Sequence, residues 1–387
     1  MISTGNIFGI FAFGTAIVGF LGSRDLLRQR RRRRHGVRVT VIGDMSCDII
    51  TDNIEEIPKW GEEECVNSAV SIQGGGCGLN TAAWLHYLSS SLHVTVPQTF
   101  SPSNEKKQDV FTDSVVNAIE RAGLYLVSPN HALAHCNSSD LSERLSCEVE
   151  RDRLNWATGT SLCLGGNGRR CFINFGGGNS DFQLTDFDLE SLIPRGTQHV
   201  HFGGYYNCPG LWTEGDMEAF IKACRKTRGV KTISINPQFS KSWGAGIHKL
   251  IPLVDFFICN QNEAIGISGE SDLVDAIMTL GTKYECNCVV VTMGGEGALL
   301  MRRCIDLRPV RVVCKDSLDH PIVDTIGVGD AFCAGFLHEV IAHNLSAESP
   351  ELLEAVRFGC ACGTAACTVS GGSNFPGHRI IRECLID

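Results

Sequence analysis

The sequence predicts an α/β fold, a three-layer α/β/α sandwich in which a mostly parallel central sheet is covered by helices on both faces. Three observations carry this. A β-branched run, a glycine turn and a helical period follow one another repeatedly along most of the chain. The 387 residues suffice for one large α/β domain or two smaller ones. The 42 glycines exceed the ordinary share, as many tight strand-to-helix turns require. A net charge of −9 argues against nucleic acid as the main partner. The 19 cysteines form no Cys-x-x-Cys pair and no zinc spacing, and most sit in apolar runs. They read as reduced core residues in a reducing compartment.

Residues 1–36 stand apart. Met1 to Gly22 carries no charge, Ile7 to Leu21 is almost continuously apolar, and Arg24, Arg28 and the run Arg30 to Arg34 follow. A cleaved secretory signal carries its charge before the apolar core, not after it. Arginines on the C-terminal flank favour keeping that side cytoplasmic. The segment is therefore expected to associate with a membrane through residues 1–34, leaving the remainder in the cytosol. An organelle-targeting segment, a nuclear signal, an anionic-lipid patch and a start codon set too early are the alternatives.

A second unit, 37–387, begins with Val37-Arg38-Val39-Thr40-Val41-Ile42, a central strand turning at Gly43-Asp44, with Asp48 soon after. Ile57 to Glu62 is a turn, and Cys65 to Gln73 reads as a strand. Gly74-Gly75-Gly76-Cys77-Gly78-Leu79-Asn80 then lets backbone approach a ligand closely, and the chain continues as helix over Ala82 to Leu88. Asn80 offers a hydroxyl both a donor and an acceptor. Pro97 to Lys107 is an exposed loop. Val115, Val116, Ile119 and Ala122 fall at helical spacing, and His131 to Arg153 is polar and irregular. Leu162 to Phe175 is a hairpin about Gly165-Gly166-Asn167-Gly168, followed by Gly176-Gly177-Gly178-Asn179. His199 and His201 share one strand face and, with no third ligand near in sequence, read as structural. Further strands end at Asn236-Pro237, at Asn260-Gln261-Asn262-Glu263, and at Thr292 before Gly294, Gly295 and Gly297.

The stretch that organises the rest is Asp324-Thr325-Ile326-Gly327-Val328-Gly329-Asp330, running into a helix with Phe332, Phe336, Val340 and Ile341 on one side. A glycine turn opening a helix aims several backbone N–H groups at one spot, at the positive end of the helix dipole. That spot suits a phosphate. A carboxylate beside it, Asp330, would repel a resting phosphate and so suits a proton acceptor. An ordinary turn with Asp330 near an N-cap is the other reading.

Asp-Thr-x-Gly-x-Gly-Asp before an apolar helix resembles the C-terminal signature of the PfkB (ribokinase-like) carbohydrate kinases, with Val328 where the family has a smaller residue. The Gly43 to Asp48 turn, Gly75 to Asn80 and Asn260 to Glu263 resemble further family motifs, in family order. Cys77 replaces the lysine usual in ribokinases proper. The resemblance covers about Val37 to Pro376. It implies a ribokinase-like fold with a small β lid built from parts of about 49–74 and 162–180, and ATP-dependent phosphorylation of a sugar hydroxyl. It assigns Asp48, Gly75, Gly76 and Asn80 to the sugar. Asp330 becomes the general base, and the N–H groups of Gly327, Val328 and Gly329 an anion hole. Asn260, Thr292, Gly294 and Gly297 fall to the nucleotide, Glu263 to Mg²⁺ through water, and Asp324 with the Gly371 to Pro376 loop to a monovalent cation such as K⁺. The Ala-, Gly- and Cys-rich stretch Glu351 to Val369 would lie close to the nucleotide. The family's adenine-side Asn is missing, and Cys360 and Cys362 hold the nearest positions. A nucleoside, another furanose or a keto sugar as acceptor, a homodimer through the lid, and a catalytically silent scaffold protein are the remaining expectations.

Overall fold

A computed structural model describes residues 36–385 apart from 52–53, 55, 66–68, 98, 100–110, 128–133, 136–156, 167–168, 214, 239, 245 and 314–319. The expectations for the N-terminal apolar segment and arginine run, for most of the 97–107 loop and for most of 131–153 fall outside these residues. Among the described residues, no helix is long and apolar enough to cross a membrane. The chain divides into Met1–Val37 and Arg38–Asp387, and the elements that follow belong to the second apart from the first residue of the first strand.

The strands, in chain order, are β1 (Val37–Gly43), β2 (Ser46–Thr51), β3 (Ser71–Gly75), β4 (Leu92–Pro97), β5 (Tyr125–Val127), β6 (Ala134–His135), β7 (Gly159–Gly166), β8 (Arg169–Phe175), β9 (Thr197–Gly203), β10 (Thr232–Ile235), β11 (Phe256–Asn260), β12 (Cys288–Thr292), β13 (Ala298–Arg302) and β14 (Val310–Val312). Ten of them form one sheet in the order β14-β13-β12-β11-β10-β9-β1-β4-β5-β6. The pairs β1–β9, β9–β10, β10–β11, β11–β12 and β4–β5 are parallel. The β12–β13, β13–β14 and β5–β6 pairs, towards the two edges, are antiparallel. Central strands are apolar on both faces, as a sheet covered by helices on both sides demands: Val39, Val41 and Ile42, and Val289, Val290 and Val291, are all buried.

A second sheet of four strands has the order β3-β2-β7-β8. The expected hairpin is its β7–β8 pair, antiparallel from Thr160↔Phe175 to Gly166↔Arg169. Its Ile72, Phe172, Ile173 and Phe175 are about half exposed or more. The strand expected over Cys65 to Gln73 differs, because the β conformation runs Ser71–Gly75 and takes in two glycines. A Cβ on Gly74 would lie 2.5 Å from the Ala118 side chain, and one on Gly75 2.0 Å from the Asp48 carboxylate. The following helix, Cys77–Leu88, also starts earlier than its apolar period suggests. Gly76, at φ 95°, makes the sharp entry that places Asn80 on the first turn.

His199 and His201 lie in the core. The hydroxyls of Thr232 and Ser234 partner His199, and that of Ser234 partners His201, each at 2.8 Å, while Cys333 Sγ lies 3.6 Å from His201 Nε2. Burial holds both imidazoles below their ordinary range, hence neutral. The described cysteines are free thiols, most of them buried. The small residues of the Leu352–Ala366 helix are accounted for by helix packing. It lies against the Val328–His343 helix so closely that a Cβ on Gly335 would meet Cys362 Sγ at 2.8 Å and the Gly359 Cα at 3.0 Å. Cys362 therefore faces a neighbouring helix.

Candidate active site

The expected site residues gather beyond the carboxyl ends of the parallel strands, where ligands bind in such sheets. β1 delivers Asp44 at its end, and β2 carries Asp48 back across it. The β1–β2 turn is pinned by Asn179, whose Oδ1 accepts from Met45 N–H at 2.9 Å and whose Nδ2 donates to Met45 O at 2.7 Å. Asp48 Oδ1 accepts from Ser46 Oγ at 2.8 Å. Asp44 accepts from Asn207 Nδ2 at 3.0 Å and from Gly78 N–H at 3.4 Å.

The N-terminal and C-terminal motifs meet at Asn80 and Asp330, 250 residues apart, where Asn80 Nδ2 donates to Asp330 Oδ2 at 2.9 Å. Asn80 Oδ1 is buried and has no hydrogen-bond partner among the described residues, an acceptor left for something else to satisfy. Gly327 adopts φ 72° and caps the Val328–His343 helix, so Asp330 sits in its first turn. The N–H groups there have no partner within the helix. The loop after the last long helix wedges these parts together. A Cβ on Gly327 would lie 2.4 Å from the Gly372 Cα, and one on Gly372 2.3 Å from Asn80 Nδ2. Ser373 Oγ donates to Gly74 O at 2.7 Å and Trp84 Nε1 to Gly372 O at 3.2 Å.

Asn260 and Glu263 sit at the β11 end as a reciprocal cap. Asn260 Oδ1 accepts from Glu263 N–H at 3.0 Å, and Glu263 Oε2 accepts from Asn260 N–H at 3.0 Å. Asn260 Nδ2 also donates to Glu263 Oε1 at 2.6 Å. Asn260 stands beside Thr292 across the β11–β12 pair. Gly294 and Gly297, at φ 59° and 94°, form the open turn that follows β12. Asp324 alone among the expected residues is saturated. Arg170 Nη2 lies 2.9 Å from its Oδ1, which also accepts from the N–H groups of Thr325 and Ile326. Its Oδ2 accepts from Gly371 N–H at 2.8 Å and from Ser370 Oγ at 3.4 Å.

The electrostatics are one-sided. Burial first, then neighbouring carboxylates, pushes Asp48 and Asp330 up to about 7. The Asn80 hydrogen bond works the other way on Asp330. Burial takes Asp44 to about 6 and Glu263 to about 7. Among the described residues no ion pair involves any of these four. Cys77 lies among Asp330, Asp44 and Glu263, and burial with their charges holds its thiol protonated. Among the described residues no group of three or more His, Cys, Asp or Glu could hold a metal unaided. Sequence reasoning passed over Asp44, Asn207 and Arg170 as site residues. Asp44 had a signal, its place at the end of the first central strand. The other two had none.

Residues 149–377 match the family description "pfkB family carbohydrate kinase", and the chain belongs to that family. It is 32% identical over 130 residues to a fructokinase of Klebsiella pneumoniae, a stretch covering 32% of this chain and 39% of that protein. It is 26% identical over 225 residues to an adenosine kinase of Schizophyllum commune, covering 52% and 64%. The aligned stretches thus span less than two thirds of either relative. The fold is that of a solved ribokinase from Arabidopsis thaliana, with TM-score 0.63 and 20% identity over 91% of this chain and 99% of that one.

Proposed function

We propose that the chain is an ATP-dependent kinase that transfers the γ-phosphoryl group to a sugar hydroxyl, with Asp330 as general base. The observation that carries the reading is the Asn80–Asp330 contact. It joins two distant motifs at a helix N-terminus, where burial pushes the Asp330 carboxyl up to about 7, a value at which a general base works best near neutral pH. Asp48 and Asn80 hold the acceptor, with the glycines Gly75 and Gly76 admitting it closely. Asp330 takes the hydroxyl proton as the sugar oxygen bonds to the γ-phosphorus and the bond from phosphorus to the ADP oxygen breaks. The N–H groups of Gly327, Val328 and Gly329 stabilise charge on the phosphoryl oxygens in transit. Thr292, Gly294 and Gly297 line the nucleotide. The four-stranded sheet serves as the lid that excludes water, and its exposed Ile72, Phe172, Ile173 and Phe175 favour a homodimer contact there.

Four carboxylates, buried or half-buried and with no cation beside them among the described residues, would repel a triphosphate, so a divalent ion fits the site on charge grounds. Mg²⁺ binds through few protein oxygens and mostly through water and phosphate, and Glu263 and Asn260 would hold that water shell. When bound it neutralises phosphate charge. Chelation is expected to abolish turnover while leaving the melting temperature of the nucleotide-free chain unchanged, read by differential scanning calorimetry with and without EDTA. A melting shift would mean a resident structural metal.

A nucleoside is the second reading of the acceptor, favoured by the adenosine kinase relative. ADP production from ATP and Mg²⁺ against ribose, fructose, other sugars and nucleosides decides. Sugar-dependent turnover supports the proposal and nucleoside-only turnover moves the acceptor. A folded chain silent with every acceptor would refute the enzyme and point to a scaffold role.

A further inference from the structure

The family resemblance implies a monovalent cation beside Asp324, and the residues present do not fit one. A carboxylate presents about four lone-pair positions. Asp324 already accepts from five donors: Arg170 Nη2 at 2.9 Å, Thr325 N–H at 2.6 Å and Ile326 N–H at 2.9 Å on Oδ1, and Gly371 N–H at 2.8 Å and Ser370 Oγ at 3.4 Å on Oδ2. One of the five is a permanent cation. The Asp324 side chain is fully buried and that of Arg170 is 18% exposed, so water screens little of the attraction. A second cation at this carboxylate would displace a charge-assisted bond and face the guanidinium's repulsion in a poorly screened site.

We infer that the Arg170 guanidinium takes the place of the monovalent ion, so that this chain does not respond to K⁺. The positive charge that balances Asp324 is supplied by β8 of the small sheet, across 154 residues of sequence, and not by solvent. Asp324 in turn holds the N–H groups of Thr325 and Ile326, which set the path of the chain into Gly327 and the helix start. Arg170 is thus a positioning residue for the anion hole, fixed in place wherever the small sheet is docked. The inference deepens the kinase reading and rests on it for any effect on turnover. The charge substitution itself is read without turnover.

The test uses the full chain, compared in KCl and in choline chloride at equal concentration. Wild-type protein is expected to melt at the same temperature in both salts. Arg170→Met is expected to gain a saturable K⁺-specific rise of about 2 °C or more, as an ion binding the native state would give. Arg170→Lys, which keeps the charge, is expected to gain none. A K⁺-specific rise in the wild type overturns the inference, and that result stands whether or not either variant folds. A folded Arg170→Met that ignores K⁺ also overturns it, since Arg170 would then be only a tie between the two sheets. If a sugar substrate is found, wild-type kcat should be equal in the two salts. Melting results as expected with no turnover on any substrate would keep the inference about Asp324 and sink the kinase reading alone.

Discussion

Two kinds of buried aspartate lie at the carboxyl end of the sheet. Asp324 is surrounded by five donors, one of them a guanidinium. Asp44, Asp48 and Asp330 are held with fewer donors and no cation, and each is pushed up towards neutrality. Residue type is the same, and the difference lies in what surrounds them. A carboxylate whose charge is matched inside the protein builds structure. One whose charge is unmatched is held ready for a ligand or a proton, at a cost in stability.

The largest expected effect is on catalysis. Asp330→Asn should lower kcat by roughly 10³-fold, the scale of a lost general base, while isothermal titration still records nucleotide binding. Near-normal turnover would remove Asp330 from the proposed role. Next comes Asp324→Asn, which leaves Arg170 without its counter-charge and puts an amide donor where the ring of donors needs an acceptor. Urea unfolding should show a loss of about 3 kcal/mol, the scale of breaking a buried pair. A loss below ~1 kcal/mol would erase the distinction between the two kinds of aspartate.

Asp48→Asn should move stability the opposite way. The folded value near 7 lies above the ordinary 3.8, so between those values the folded chain holds a proton that the unfolded chain has released. Folding therefore loses stability as pH rises from about 4 to about 7. The substitution should recover about 1–3 kcal/mol above pH 7 and nothing near pH 4, by urea unfolding at both pH values. An equal effect at both would mean that charge is not the cause. The smallest effect is on the pH profile. kcat/KM should rise with pH through about 7 as Asp330 loses its proton. In Asn80→Ala the inflection should move up by a fraction of a unit, because the lost hydrogen bond had favoured the charged form. An unmoved inflection would separate Asn80 from the base.

Much of the architecture could be read along the chain, because apolar runs and glycine turns are local signals. β1, β9, β10, β11 and β12 each lie within a few residues of the β-branched runs that predict them. The errors sit where a tertiary contact outweighed a local pattern. The Cys77–Leu88 helix takes in Gly78 and Asn80 because Gly76 turns sharply under β1, and β3 takes in Gly74 and Gly75 because Ala118 and Asp48 press against them. A close helix crossing also uses small residues of Leu352–Ala366, a contact that no local pattern announces.

The sequence by itself determined the layered α/β fold, the four motifs and their order, since glycine spacing, apolar periodicity and strand-end polar residues are properties of neighbours in the chain. Only the tertiary structure decided which acidic residue meets a guanidinium and which meets hydrogen-bond donors alone. A carboxylate's surroundings are set by what lies within a few ångströms, and those partners come from afar: Asn80 is 250 residues from Asp330, Asn207 is 163 from Asp44, and Arg170 is 154 from Asp324. Asp324 and Asp330, six positions apart in one motif, differ in their partners: one meets the Arg170 guanidinium and the other the Asn80 amide.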